Sequence, residues 1–146
     1  MEDPDLMHVS FCTFSNLRRA TRMVSQLYDE AMKPTGLKTT QCMVLAMIHR
    51  SGKSTVTELA QAMGMDQTSM TRSLNILKKQ DLIERISDES DRRRRLITLT
   101  PKGEEILMLS LKLREEAQAK MIAGLGPEDT RIAVELLQKM TAVAQK

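Results

Sequence analysis

The stretch from Thr55 to Leu82 leaves the backbone few alternatives. Thr55 and Glu58 stand at capping-box spacing, so a helix is predicted to begin near Val56, with Val56, Leu59, Ala60 and Met63 on its apolar face. Gly64 ends it. Asp66 is placed to cap a second helix, in which Met70, Leu74 and Leu77 recur at helical spacing and bury against the first. Two short helices joined by a tight turn form a helix-turn-helix. The outer face of the second carries Gln67, Thr68, Ser69, Thr71 and Arg72, in the turns that reach base edges when such a helix lies in the major groove. Simpler uses exist for each: Asp66 as a cap, Met70 as core, and the polar side chains as a solvated face.

Four consecutive arginines, Arg92, Arg93, Arg94 and Arg95, follow Asp91 and lead into the alternating run Leu96-Ile97-Thr98-Leu99. This pattern reads as a cationic β-hairpin beside the helix pair. Clustered guanidinium groups displace the counterions condensed on duplex DNA, which gives binding that weakens steeply with salt. A charge run is more often a solvated face. The adjoining helix pair turns the balance toward nucleic acid. The net charge is only +3, so the distribution of charge carries the argument: the acidic residues of this segment mostly precede the arginines, leaving a local positive tip rather than a broad basic face.

The chain has 146 residues, is 41% hydrophobic and lacks a long apolar run, which predicts one domain with a sizeable core and no membrane span. The acidic start Met1-Glu2-Asp3-Pro4-Asp5 is unlike a secretory leader, and a cytoplasmic location is expected. A long first helix is predicted from the recurrence of Phe11, Phe14, Leu17, Thr21, Val24, Leu27, Tyr28 and Ala31, ending before Pro34 and Gly36. A second runs from near Thr39 to Ser51 and Gly52, burying Met43, Val44, Met47 and Ile48. After the hairpin, Thr100-Pro101 starts a helix whose stripe is Ile106, Leu109, Leu113, Ala117, Met121 and Leu125, interrupted at Gly124 and Gly126. Pro127 opens a last helix bearing Ile132, Leu136, Met140 and Val143.

The fold expected is mainly α: residues 1–146 as a single domain, with a DNA-binding lobe over about 37–100 and helical arms over about 8–36 and 101–146. A helix from Pro101 to Ala123 would be about 35 Å long, longer than the lobe beside it needs. Its projecting apolar stripe must be covered, and a second copy of the chain is the simplest cover, so a two-fold homodimer is expected.

The chain contains no G-x-S-x-G, H-E-x-x-H, P-loop or G-x-G-x-x-G pattern, which argues against catalysis. Cys12 with His8 is the sole candidate pair for a cysteine-dependent enzyme. Cys12 and Cys42 form no C-x-x-C pattern, so no structural metal or cofactor is expected. Cys12 lies near the first helix N-terminus with Arg18 and Arg19 nearby, a setting that favours thiolate and oxidant sensing. Arg18, Arg19 and Arg22 lie away from the apolar stripe, where they line a cleft for an anionic ligand or simply decorate an arm. A winged-helix module that binds protein rather than DNA is the alternative of a different class.

The order of two helices, helix-turn-helix, hairpin wing and two C-terminal helices, together with the D-x-R…L-T-x-K-G signature in Asp91–Gly103, resembles the MarR family of winged-helix transcription regulators over nearly the whole chain. Asp81, in Gln80-Asp81-Leu82-Ile83, departs from the glycine usual in that family. The resemblance implies a dimer on a pseudo-palindromic operator, usually a repressor, released by a small anionic aromatic ligand or an oxidant. It further implies that Arg93 enters the minor groove, that Asp91 orients it, and that Arg92, Arg94 and Arg95 add phosphate contacts. Cys12 is similar in position to the reactive thiol of the hydroperoxide-sensing branch, which pairs it with two tyrosines; here Tyr28 stands alone.

Overall fold

The computed structural model describes residues 3–146. Its order is α1 (Thr13–Met32), α2 (Thr39–Ser51), α3 (Val56–Met63), α4 (Gln67–Lys79), β1 (Ile83–Ser87), β2 (Arg95–Leu99), α5 (Pro101–Leu125) and α6 (Pro127–Ala144), with short 3-10 turns at Val9–Phe11 and Lys33–Thr35. This is a mainly α winged-helix fold. The strands pair antiparallel, Ile83 opposite Leu99 and Ser87 opposite Arg95. Ser54 adds a one-residue third rung, exchanging backbone hydrogen bonds with Ile97 at 3.1 and 2.7 Å. No helix among the described residues is long and apolar enough to cross a membrane.

The helix-turn-helix forms as its caps dictate. Thr55 Oγ1 accepts from the Glu58 N–H at 3.2 Å while Glu58 Oε2 accepts from the Thr55 N–H at 2.9 Å, which completes the capping box. Gly64 takes the left-handed conformation at φ 62° and closes α3. Met70, Leu74 and Leu77 of α4 are fully buried against Leu45 and Ile48 of α2, Leu59 of α3 and Ile97 of the wing. This core holds the lobe together.

Three helix faces differ from the periodicity reading. In α2, Cys42 and Leu45 are buried and Met43 is 54% exposed, because apolar residues surround this helix and several stripes fit equally well. In α5 the buried line is Gly103, Leu107, Ser110 and Ala117; of the expected stripe, Ala117 is buried, Ile106 and Leu113 pack partly buried against the core, and Leu109 is exposed. There a glycine and a serine mark the close approach of neighbouring elements, and periodicity weighted by hydrophobicity passes over both. In α1 only Met32 is buried. Helix α5 also continues through Gly124, and the break falls at Gly126, φ 88°.

The junction between α4 and α5 explains the L-T-x-K-G part of the wing signature. Thr100 caps α5 by accepting from the Gly103 N–H at 3.0 Å, and the same hydroxyl donates to the Asp81 carbonyl at 2.5 Å. Lys102 Nζ donates to the Gln80 carbonyl at 2.9 Å, placing a cation at the negative end of α4. A Cβ on Gly103 would collide with the Leu82 carbonyl oxygen, so the first turn of α5 rests directly on that peptide. Asp81 supplies the preceding turn at φ 57°, a left-handed position that aspartate tolerates better than most residues.

Gly103→Ala is therefore expected to lower unfolding free energy by about 3 kcal/mol in urea titration, since backbone rather than a side-chain tip must yield. A loss below about 0.5 kcal/mol would show that the junction is not close-packed in solution.

Candidate nucleic-acid interface

Helix α4 presents one continuous exposed face. Gln67, Thr68, Thr71, Arg72, Asn75, Ile76 and Lys79 line a single shallow groove along it. Periodicity places Gln67, Thr71, Asn75 and Lys79 in one row, four residues apart. Asn75, Ile76 and Lys79 extend the row beyond the residues expected from the sequence; the available signal was that Asn75 and Ile76 stand four residues after Thr71 and Arg72, and Lys79 four after Asn75. Ile76 is 38% exposed, an apolar spot among donors and acceptors.

Ser69 lies apart from this row. Its N–H donates to Asp66 Oδ1 at 2.8 Å and its hydroxyl to Oδ2 at 2.9 Å, so both polar groups serve the cap. Gln67 Nε2 donates to Thr57 Oγ1 at 2.8 Å, bridging the start of α4 to the start of α3.

The wing tip spans Asp88 to Arg94 and is shaped by two aspartates. Asp88 Oδ1 accepts from the Ser90 N–H and hydroxyl at 3.0 and 2.8 Å, and Asp91 Oδ1 accepts from the Arg93 N–H at 3.0 Å. Asp91 thus bends the backbone at Arg93 and does not hold its guanidinium. All four arginines are exposed, but they differ in their partners. Arg94 reaches Glu58 Oε1 at 2.5 Å and Asp88 Oδ2 at 3.7 Å, whereas Arg95 Nη1 donates to Ser87 Oγ at 3.5 Å. Among the described residues, no hydrogen bond or ion pair engages the guanidinium of Arg92 or Arg93. Arg85 of β1 donates to Asn75 Oδ1 at 3.3 Å, linking the wing to the α4 groove.

A second site lies between α1, α2 and α5, in a largely apolar cavity of about 350 Å³. Tyr28, Met32, Cys42, Met43 and Leu111 line it, and Arg114 is its charged residue. Arg18, Arg19 and Arg22 are not among its walls; Arg18 instead sits 5.7 Å from the Phe14 ring centroid. Arg114 stands one turn beyond Ser110 on α5, and no local signal in the sequence singled it out. Tyr28 donates its hydroxyl to Gln118 Oε1 at 2.5 Å, joining α1 to α5.

The two thiols differ. Cys12 precedes α1, and hydrogen bonds from the Ser15 hydroxyl and N–H lower its pKa. Burial pushes the Cys42 thiol up, against a contact with Thr35 Oγ1 at 3.9 Å.

An exposed polar helix face beside an arginine-tipped hairpin is the layout of a winged helix-turn-helix DNA-binding regulator. A sequence model of the MarR family matches residues 35–94. Among solved structures, the M. tuberculosis transcriptional regulator MosR in complex with DNA is 34% identical, with TM-score 0.75 over 90% of this chain and 98% of that one. Bordetella bronchiseptica BpsR, whose DNA binding is regulated by 6-hydroxynicotinic acid, is 27% identical, with TM-score 0.84 over 92% and 96%. A cysteine-to-serine mutant of E. coli MarR bound to operator DNA shares the fold at 21% identity, with TM-score 0.82 over 95% and 99%. The chain belongs to the MarR family of transcription regulators.

Several capping carboxylates are held below the ordinary carboxylate range. The Thr55 N–H, then Arg94, lowers Glu58; the Ser69 N–H and hydroxyl lower Asp66; the Ser90 N–H and hydroxyl, then Arg94 and Lys53, lower Asp88. A folded-state pKa below the unfolded one gives stability that is present above the unfolded value and lost as pH falls through the folded value. Melting temperature is expected to hold steady from neutral pH to about 5 and to drop as pH falls through about 4. In Asp66→Asn, which keeps a capping oxygen without the titration, the acid limb should be shallower; an unchanged limb would exclude the α4 cap as a contributor.

Proposed function

We propose that the chain is a homodimeric repressor that binds a pseudo-palindromic operator. The observation that carries this reading is the pairing of the exposed α4 row, Gln67, Thr68, Thr71, Arg72 and Asn75, with two wing-tip guanidinium groups, Arg92 and Arg93, that have no partner among the described residues. In this reading α4 lies in the major groove, Arg72 and Asn75 read base edges, and Arg93 enters the flanking minor groove with Arg92 on phosphate. Ser69 acts through the cap of α4, and Asp91 through the backbone of Arg93.

The dimer reading is supported by apolar surface that the lobe leaves uncovered. Leu6, Met7, Val9, Phe11 and Phe14 are exposed, Phe14 at 67%, and α6 buries no side chain although Ile132, Leu136, Leu137 and Val143 lie along it. Apolar surface of this kind on the arms fits an isologous contact with a second copy. The dyad would set two α4 helices about one DNA turn apart, which suits half-sites separated by roughly 10 bp. A cytoplasmic location accords with that role.

The test is selection of bound duplexes from a random pool by protein whose mass is measured by sedimentation. Dyad-symmetric fragments, bound by a species of twice the chain mass, are expected. Arg93→Ala should weaken binding to many sequences and reduce the slope of log K against log salt by about one, while Thr71→Ala should alter sequence preference. A monomer, or an Arg93→Ala variant that binds like wild type, would refute the corresponding part.

The cavity between α1, α2 and α5 fits an aromatic acid, its ring against Met32, Met43 and Leu111 and its carboxylate on Arg114. Because the cavity joins the arms to the lobe, a ligand that binds one lobe separation better than another shifts DNA affinity by that difference. Oxidation at Cys12 is a second route, favoured by its lowered pKa. Duplex release is expected with 6-hydroxynicotinate, blunted in Arg114→Gln, and any peroxide response should vanish in Cys12→Ser. Equal ligand response in Arg114→Gln and wild type would exclude that anchor.

A further inference from the structure

The four wing arginines are alike in sequence and unlike in surroundings. Arg94 alone turns back toward the lobe, placing one guanidinium nitrogen on Glu58 Oε1 of α3 and the other near Asp88 Oδ2 at the base of the wing tip. Each carboxylate is anchored through its second oxygen. Glu58 Oε2 accepts from the Thr55 N–H at 2.9 Å, and Asp88 Oδ1 holds the Ser90 turn. Arg94 is therefore gripped by two carboxylates whose positions are set by the capping box of α3 and by the wing turn. Its own backbone is held as well: its N–H donates to the Asp91 carbonyl at 3.0 Å, and its carbonyl accepts from the Asp88 N–H at 3.1 Å.

We propose that Glu58, Arg94 and Asp88 form a clamp that fixes the wing tip against α3, making Arg94 a positioning residue and leaving Arg93 free for the minor groove and Arg92 for phosphate. The proposal rests on the DNA-binding reading above. One guanidinium between two carboxylates leaves the cluster with a net negative charge, so Arg94 is not a free cation for displacing counterions from DNA. Its contribution is geometric. A two-stranded hairpin is a marginal structure by itself, and the tip lies beyond the last paired residues, Ser87 and Arg95. Tying the tip to α3, which is bridged to α4 by Gln67 and Thr57, gives the wing and the recognition helix one frame. Arg93 then meets the minor groove without a further ordering cost.

The distinguishing variant is Glu58→Gln combined with Arg94→Ala. It removes one negative and one positive charge, so the net charge of the cluster is unchanged, and the amide introduced by Glu58→Gln still offers an oxygen to the Thr55 N–H. Duplex affinity, measured by anisotropy on an operator fragment across a salt series, is expected to fall about tenfold at every salt concentration with the wild-type slope retained. Arg93→Ala, measured in parallel, should lose about one unit of slope. Hydrogen exchange at the amides of residues 88–94 in the free protein should speed up at least tenfold in the double variant, while α4 amides stay unchanged. A slope reduced by one in the double variant, unchanged affinity, or unchanged wing exchange would each overturn the clamp. Failure of wild-type protein to bind any duplex would instead refute the DNA-binding reading, and the exchange measurement would still decide whether the clamp exists.

Discussion

The contact on which both halves of the chain depend is the seating of Gly103 on the Leu82 peptide. The recognition helix ends there, the wing begins there, and α5 leaves there toward the arms. With no Cβ at position 103, the first turn of α5 lies directly on backbone, and Thr100 and Lys102 satisfy the Asp81 and Gln80 carbonyls exposed by the turn. Close-packed backbone does not deform continuously, so a change in the direction of α5 has to move α4 and the wing with it. The junction thereby joins α5, which lines the cavity, to α4 and the wing.

The lobe is built so that one polar group often serves two elements. Glu58 caps α3 with one oxygen and holds Arg94 with the other. Asp88 divides its oxygens between the wing turn and Arg94, and the Thr100 hydroxyl both accepts from Gly103 and donates to Asp81. Exposed pairs such as Glu58 and Arg94 contribute little to stability in water. Their effect lies in orientation, since they fix the wing tip relative to α3.

Much of the lobe was legible in the sequence because its signals are local. A capping box, a glycine stop and an aspartate cap each act within a turn of the backbone, and the limits of α2, α3 and α4 fell where those residues predicted. The same locality explains the misplaced faces. Met43 of α2 looked like core because that helix is apolar on several sides, and only its neighbours select the buried side. Arg114 was passed over for Arg18, Arg19 and Arg22, since a cluster along the chain is visible in one dimension and a single arginine facing a cavity is not.

The sequence by itself determined the helices, their caps, the hairpin and the presence of an arginine-rich tip, because each follows from interactions between residues within a few positions of one another. Tertiary structure alone decided which of four adjacent arginines is paired with carboxylates, that Ser69 serves the cap while Asn75 and Lys79 join the exposed row, and that a cavity opens beside Arg114. Those outcomes depend on residues far apart in the chain, such as Glu58 and Arg94, and their approach is set by how whole helices pack.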